Sequence, residues 1–173
     1  MKLIILSVVL LVVIVVIIYL GKMTMAVSKE KSLYDRLGGI YPIAAVINLF
    51  SNNLINNDIV GINSKNPQLR EWHRNKLDRL PGLKFMRSLW VADITGGPFT
   101  FHSSSLKSCP FSGARNKNKL DLREAHCPFK VSSNEFDAVA SELSKALDHY
   151  KVPPKEKNEV LGAFSAHKKE VVV

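Results

Sequence analysis

Cysteine is scarce in this sequence: Cys109 and Cys127 are the two in 173 residues. A domain of this size does not need a disulfide framework, and two thiols do not imply one. With no CxxC and no HxxxH spacing, a zinc centre is not expected. The glycine patterns that cradle phosphates, GxGxxG and GxxxxGKS/T, are absent, and so is the GxSxG nucleophile elbow. Acidic side chains are also few, 15 Asp and Glu against 24 Lys and Arg. Most stand beside a basic residue in sequence, which leaves little for a two-carboxylate hydrolase. The resulting charge of +9 is spread along the chain rather than clustered. It suits a solvated basic face that can lean on anionic lipid headgroups. No interleaving of aromatic and basic residues points to nucleic acid.

What is present begins with an apolar run. Residues 3–20, LIILSVVLLVVIVVIIYL, carry no charge. At about 1.5 Å per helical residue such a run spans roughly 27 Å, close to the hydrocarbon thickness of a bilayer. The reading is an N-terminal transmembrane signal-anchor at 1–21, then a linker at 22–31. A cleaved secretory signal is the alternative, with Thr24-Met25-Ala26 as a passable cleavage triplet. Lys22, Lys29, Lys31 and Arg36 outweigh Lys2 across the run. That bias favours a single-pass membrane protein whose C-terminal domain, residues 32–173, is cytoplasmic.

Within this domain the periodicity predicts helices and no strands. In SLYDRLGG, Ser32 caps one or two turns that Gly38-Gly39 stops. The run PIAAVINLFSNNL sets Ile43, Val46, Ile47, Phe50 and Leu54 at helical spacing, with Pro42 suited to the first turn. NNDIVGINSKNPQ is a break. LREWHRNKLDRL reads as a helix ended by Pro81-Gly82. LKFMRSLWVADI reads as another, with Leu83, Met86, Leu89, Trp90 and Ile94 on one side and Gly96-Gly97-Pro98 as its stop. Residues 99–119 read as a long polar loop, a class that is often functional. Ser132 to Glu135 form a capping-box pattern opening a helix with a stripe of Phe136, Val139, Ala140, Leu143 and Leu147. Pro153-Pro154 starts the last helix, buried through Val160, Leu161 and Phe164, before a charged tail AHKKEVVV. The fold class is all-α.

Five histidines are the remaining chemistry. His149 and His167 lie near helix C-termini, where a cation complements the helix dipole. His102 falls in the polar loop. His73 follows Trp72 in a charged helix, and His126 stands where LREAH gives way to CPFKV. On its own, His126 is open between surface residue, general base and ligand.

The order of SLYDRLGG, IAAVINLF, GGP, LREAH and then Phe136, ten residues past the histidine, resembles the group I truncated haemoglobins. The resemblance covers about residues 32–170. It implies a 2-on-2 helical sandwich of globin type holding haem, iron protoporphyrin. His126 matches the proximal iron ligand; an imidazole nitrogen can coordinate iron while the other donates to a carbonyl. LREWH resembles the start of the distal helix and would aim His73 at the sixth position, as ligand neighbour or distal ligand. Counting back from Gly96-Gly97 lands instead around Leu83 and Arg87, so an insertion around NKLDRLPGLK is implied. Phe50 and Phe136 are the implied apolar cofactor-binding residues. The tyrosine that often follows the phenylalanine at Phe50 is Ser51 here, and the usual wedge phenylalanine is missing, leaving Ile59 or Ile62 as substitutes.

The function implied is reversible binding of a diatomic gas: oxygen, nitric oxide or carbon monoxide. Oxygen transport, sensing and oxidation of nitric oxide are all open. An enzymatic role needs an electron-donor reductase, because the chain has no flavin or nicotinamide motif. The competing reading is a haem-free, membrane-tethered helical interaction domain.

Overall fold

The computed structural model describes residues 11–18, 30–99 and 122–172. They fall into two units, one ending at Lys31 and one running from Ser32 to Val173. In the first unit, α1 (residues 11–18) is a helix whose side chains are all exposed. Among the described residues no helix is long and apolar enough to cross a membrane. Most of the apolar run at 1–21 lies outside the described residues, as do Cys109, His102 and nearly all of the loop at 99–119.

The second unit is helical, as its sequence pattern requires. Its elements are α2 (Leu33–Arg36), α3 (Ile40–Ile55), α4 (Pro67–Asn75), α5 (Leu80–Ile94), α6 (Leu122–His126), α7 (Ser133–His149), α8 (Pro154–Ala166) and α9 (Lys168–Val171). Helix α3 is central: it packs on α5 and on α7, and α7 packs in turn on α8. Its buried stripe is Ile43, Val46, Ile47, Phe50 and Leu54, as the spacing predicts. Val91 and Ala92 of α5, Leu143, Ala146 and Leu147 of α7, and Val160 of α8 complete the core. Each large apolar side chain buried this way contributes roughly 1.5–3 kcal/mol.

Helix ends follow local chemistry. Ser32 caps α2 by accepting from the Asp35 amide, and Ser132 with Glu135 forms the reciprocal capping box at α7. Behind α5, the Gly96 amide donates to Asp93 and the Gly97 amide to Ala92, the paired bonds of a Schellman stop. Gly96 has φ +81°, which favours glycine. A Cβ on Gly97 would lie 2.7 Å from the Tyr34 ring. Tyr34 also donates its amide to the Thr95 carbonyl and accepts from Gly39. The two double glycines therefore meet at one tyrosine.

Three expectations change. Pro81 does not end a helix: α4 stops at Asn75, a 3-10 turn spans Leu77–Arg79, and Pro81 sits in the first turn of α5. The buried side of α5 is Ser88, Val91 and Ala92, while Met86 is exposed. Small side chains let α3 approach closely, which a search for large apolar residues overlooks. The charged tail is not loose; it forms α9, and Val172 bridges to Val131.

Candidate functional site

His126 closes the short helix α6 and is followed by a 3-10 turn, Cys127–Phe129. Its Nδ1 lies 2.8 Å from the Leu122 carbonyl. In that geometry Nδ1–H donates to the carbonyl one turn back, and Nε2 keeps its lone pair. Nε2 has no hydrogen-bond partner among the described residues. Two ties hold the segment from outside. Arg123 donates to the Lys169 carbonyl at 2.8 Å, and Val131 bridges to Val172.

His73 lies on α4 in the same arrangement, with Nδ1 2.9 Å from the Leu69 carbonyl. The ring is buried, with the Trp72 indole edge-on at 5.1 Å. Asn66 caps this helix by accepting from the Gln68 and Leu69 amides. The same side chain donates to the Phe129 carbonyl at 2.9 Å. One asparagine thus joins the segments that carry the two histidines.

Between them sits a cation. Arg87, on α5, donates from Nη1 to Ser51 Oγ at 3.0 Å, and its Cζ lies 5.5 Å from the centre of the Phe50 ring. Protein encloses the guanidinium, yet the side chain keeps some accessible surface, as a group lining a recess does. Burial pulls its pKa down to about 10. Both histidines feel the same group. Burial lowers each imidazole's pKa, the backbone carbonyl partly opposes this, and the Arg87 charge lowers it again. Both rings are therefore favoured as neutral imidazoles, the form that ligates a metal.

Sequence reading reached His73, His126 and Phe50, but it held Arg87 only as one of two positions counted back from Gly96-Gly97. The helix break at 76–79 reconciles that count with LREWH: α4 supplies His73 and α5 supplies Arg87. Ser51, expected as a short donor, is 1% exposed and serves as the acceptor that anchors Arg87. Phe136 is buried, but its ring stacks on Phe164 at 4.9 Å and lies under Lys168. Ile59 is 40% exposed, and the residue that turns inward in that stretch is Val60. A separate apolar hollow of about 220 Å³ lies among α3, α5, α7 and α8; its lining includes Ile43, Ile47, Val91 and Leu147 and neither histidine.

The donor set can be tested against an iron porphyrin. Among the described residues no three His, Cys, Asp or Glu side chains gather to hold a bare metal ion. Two neutral imidazoles with fixed Nδ1 atoms supply axial ligation to an iron whose other four donors come with the cofactor. The aromatic face of Phe50 suits a flat macrocycle, so the residues present fit the group.

No family model and no curated protein matches the sequence. Solved structures match it in shape. The truncated haemoglobin of Tetrahymena pyriformis, in its Fe(III) form, aligns with a TM-score of 0.58 at 18% identity, over 82% of this chain and 98% of that one. The haemoglobin of the thermophilic phototrophic bacterium Chloroflexus aurantiacus gives 0.56 at 22%, over 83% and 99%. A mutant of the group II truncated haemoglobin of Bacillus anthracis gives 0.59 at 18%, over 84% and 93%. This chain has the truncated-haemoglobin fold. The α3–α5 and α7–α8 pairs, in contact through α3 and α7, agree with the 2-on-2 sandwich expected from the sequence.

Proposed function

We propose that residues 32–173 form a haem-binding globin of the group I truncated kind that reversibly binds a diatomic gas: oxygen, nitric oxide or carbon monoxide. The observation that carries this reading is the matched pair His126 and His73. Each ring is held by Nδ1 on its own helix, kept neutral by burial, and left with Nε2 unengaged. His126 is the proximal ligand, because its short helix is braced from outside by α9. His73 is the distal residue and can occupy the sixth position. Phe50 offers its ring to the macrocycle, and Phe136 supports the His126 segment from the start of α7. Haem supplies a redox-active iron with open axial coordination; the chain supplies the axial nitrogens and the enclosure. Continued oxidation of nitric oxide would need a reductase, so gas binding is the activity assigned.

The apolar run at 1–21 is proposed as a membrane anchor with the globin domain on the cytoplasmic side, on the strength of its length and flanking lysines. Membrane fractionation of the full chain, with alkaline extraction and protease accessibility, tests both parts. A protein released by alkali is not anchored.

The test of the haem reading is the ultraviolet–visible spectrum of the full-length protein beside His126→Ala and His73→Ala. A Soret band lost or grossly altered in His126→Ala supports the proximal assignment. Conversion from six-coordinate to five-coordinate in His73→Ala supports the distal one. A colourless protein that takes up no added haem supports the alternative, a helical interaction scaffold. The cation already resting on Phe50 is the one observation favouring that alternative.

A further inference from the structure

Arg87 is a buried charge without a counter-charge. Arg36, the comparable cation of the opposite end of the fold, is held by Glu156 and Glu159. Arg87 has no carboxylate partner among the described residues; its contacts are the Ser51 hydroxyl and the Phe50 ring. A guanidinium has five N–H donors in a planar fork, and the single bond to Ser51 leaves most of them unused. The imidazoles of His73 and His126 feel its charge but, being favoured as neutral, do not balance it. Enclosing an unpaired charge is costly, and an anion bound beside it recovers much of that cost.

Size and position narrow the class of anion. The Ser51 anchor is 1% exposed, so the fork is fixed in the interior and not at the molecular surface. Phe50 covers one side of the guanidinium. What remains suits an ion of a few atoms carrying one negative charge, which can accept N–H donors while its other end reaches a metal between the imidazoles.

We propose that Arg87, anchored on Ser51, is the specificity-determining residue of this pocket and makes it favour small inorganic anions over neutral ligands. This inference rests on the haem reading above. It assigns Arg87 to the ligand and not to the cofactor.

The test uses the full-length ferric protein loaded with haem and titrated separately with sodium azide and with imidazole at pH 8. Binding is read from the Soret shift. The quantity compared is the ratio of the two dissociation constants, in which any displacement of His73 cancels. Arg87→Met and Arg87→Gln are expected to lower the preference for azide by about 10-fold to 100-fold, the range for losing a charged hydrogen bond. Arg87→Lys keeps the charge and retains most of the preference. Circular dichroism checks folding; should Arg87→Met fail to fold, Arg87→Gln keeps an amide donor and removes only the charge. A ratio that stays within about twofold of wild type in a folded neutral variant overturns the proposal. Loss of haem from both neutral variants also overturns it, because Arg87 would then be holding the cofactor. Absence of a Soret band from the wild-type protein sinks the haem reading and this inference together, and is recognisable because no substitution is involved.

Discussion

The side-chain amide of Asn66 donates to the carbonyl of Phe129 at 2.9 Å, while the oxygen of the same amide caps α4. Seven residues along from Asn66 is His73; three residues before Phe129 is His126. The two imidazoles are thus referenced to one another through a single polar side chain, although they are far apart in sequence.

Replacing Asn66 with alanine should destabilise the domain by about 1–2 kcal/mol, the usual cost of an N-cap together with a buried partner left unpaired. Chemical denaturation measures this. Asn66→Asp keeps the cap but cannot donate to Phe129, so it should fall between alanine and wild type. Equal stability of all three proteins would deny the link any energetic role.

Glu142 ties α7 to the turn after α3, accepting from Asn57 at 2.9 Å and Lys145 at 2.7 Å. Burial alone raises its pKa, but the hydrogen bonds from Lys145, Asn57 and Asn53 outweigh this and leave it below the ordinary 4.5. A carboxylate with a depressed folded pKa stabilises fully above its unfolded value and loses that contribution as pH falls through the folded one. Glu142→Gln should therefore cost about 1 kcal/mol at pH 7, a modest figure because Lys145 is exposed and screened. The gap to wild type should close as pH falls below 4.5. Urea titrations at pH 7 and pH 3.5 check it; a constant gap contradicts the assignment.

Two glycines should respond in opposite ways to alanine. A Cβ at Gly61 would meet the carbonyl oxygens of Ile55, Asn57 and Leu54 at 2.2, 2.6 and 2.7 Å. These are backbone atoms, so Gly61→Ala should cost more than about 2 kcal/mol. At Gly162, inside α8, nothing lies within 4 Å of the added carbon. Gly162→Ala should stabilise by about 0.5–1 kcal/mol through helix propensity. Thermal melts of the two variants test the pair.

A stop after His167 would remove the Lys169 carbonyl that Arg123 uses, the Val172 bridge to Val131, and Lys168 over Phe136. On the haem reading, the shortened protein should release haem about 10-fold faster, the scale on which outer supports of a metal ligand act. Transfer to a haem-free acceptor globin measures the rate. An unchanged rate would mean that α9 does not brace the His126 segment.

The legible parts of this molecule were those governed by local rules. The stripe of α3, the capping box of α7 and the glycine stop of α5 each depend on residues within a few positions of one another. Pro81 was ambiguous because a proline that cannot continue one helix is well suited to begin the next. Arg87 was harder: an arginine in a mixed helix reads as a surface residue. Its burial is decided by Ser51, 36 residues earlier on another helix. The short α9 was illegible for a similar reason, since a four-residue helix depends on tertiary contacts and not on its own propensity.

The interruption between α4 and α5 has a geometric consequence. Were residues 73–87 one continuous helix, His73 and Arg87 would stand about 21 Å apart along its axis. Exposed charges at that range barely sense one another in salt, yet here the guanidinium acts on the imidazole. The kinked junction turns a rigid ruler into a pair of jaws. An alteration that straightened it would leave every side chain of the site chemically intact and still draw the imidazole and the cation out of each other's field.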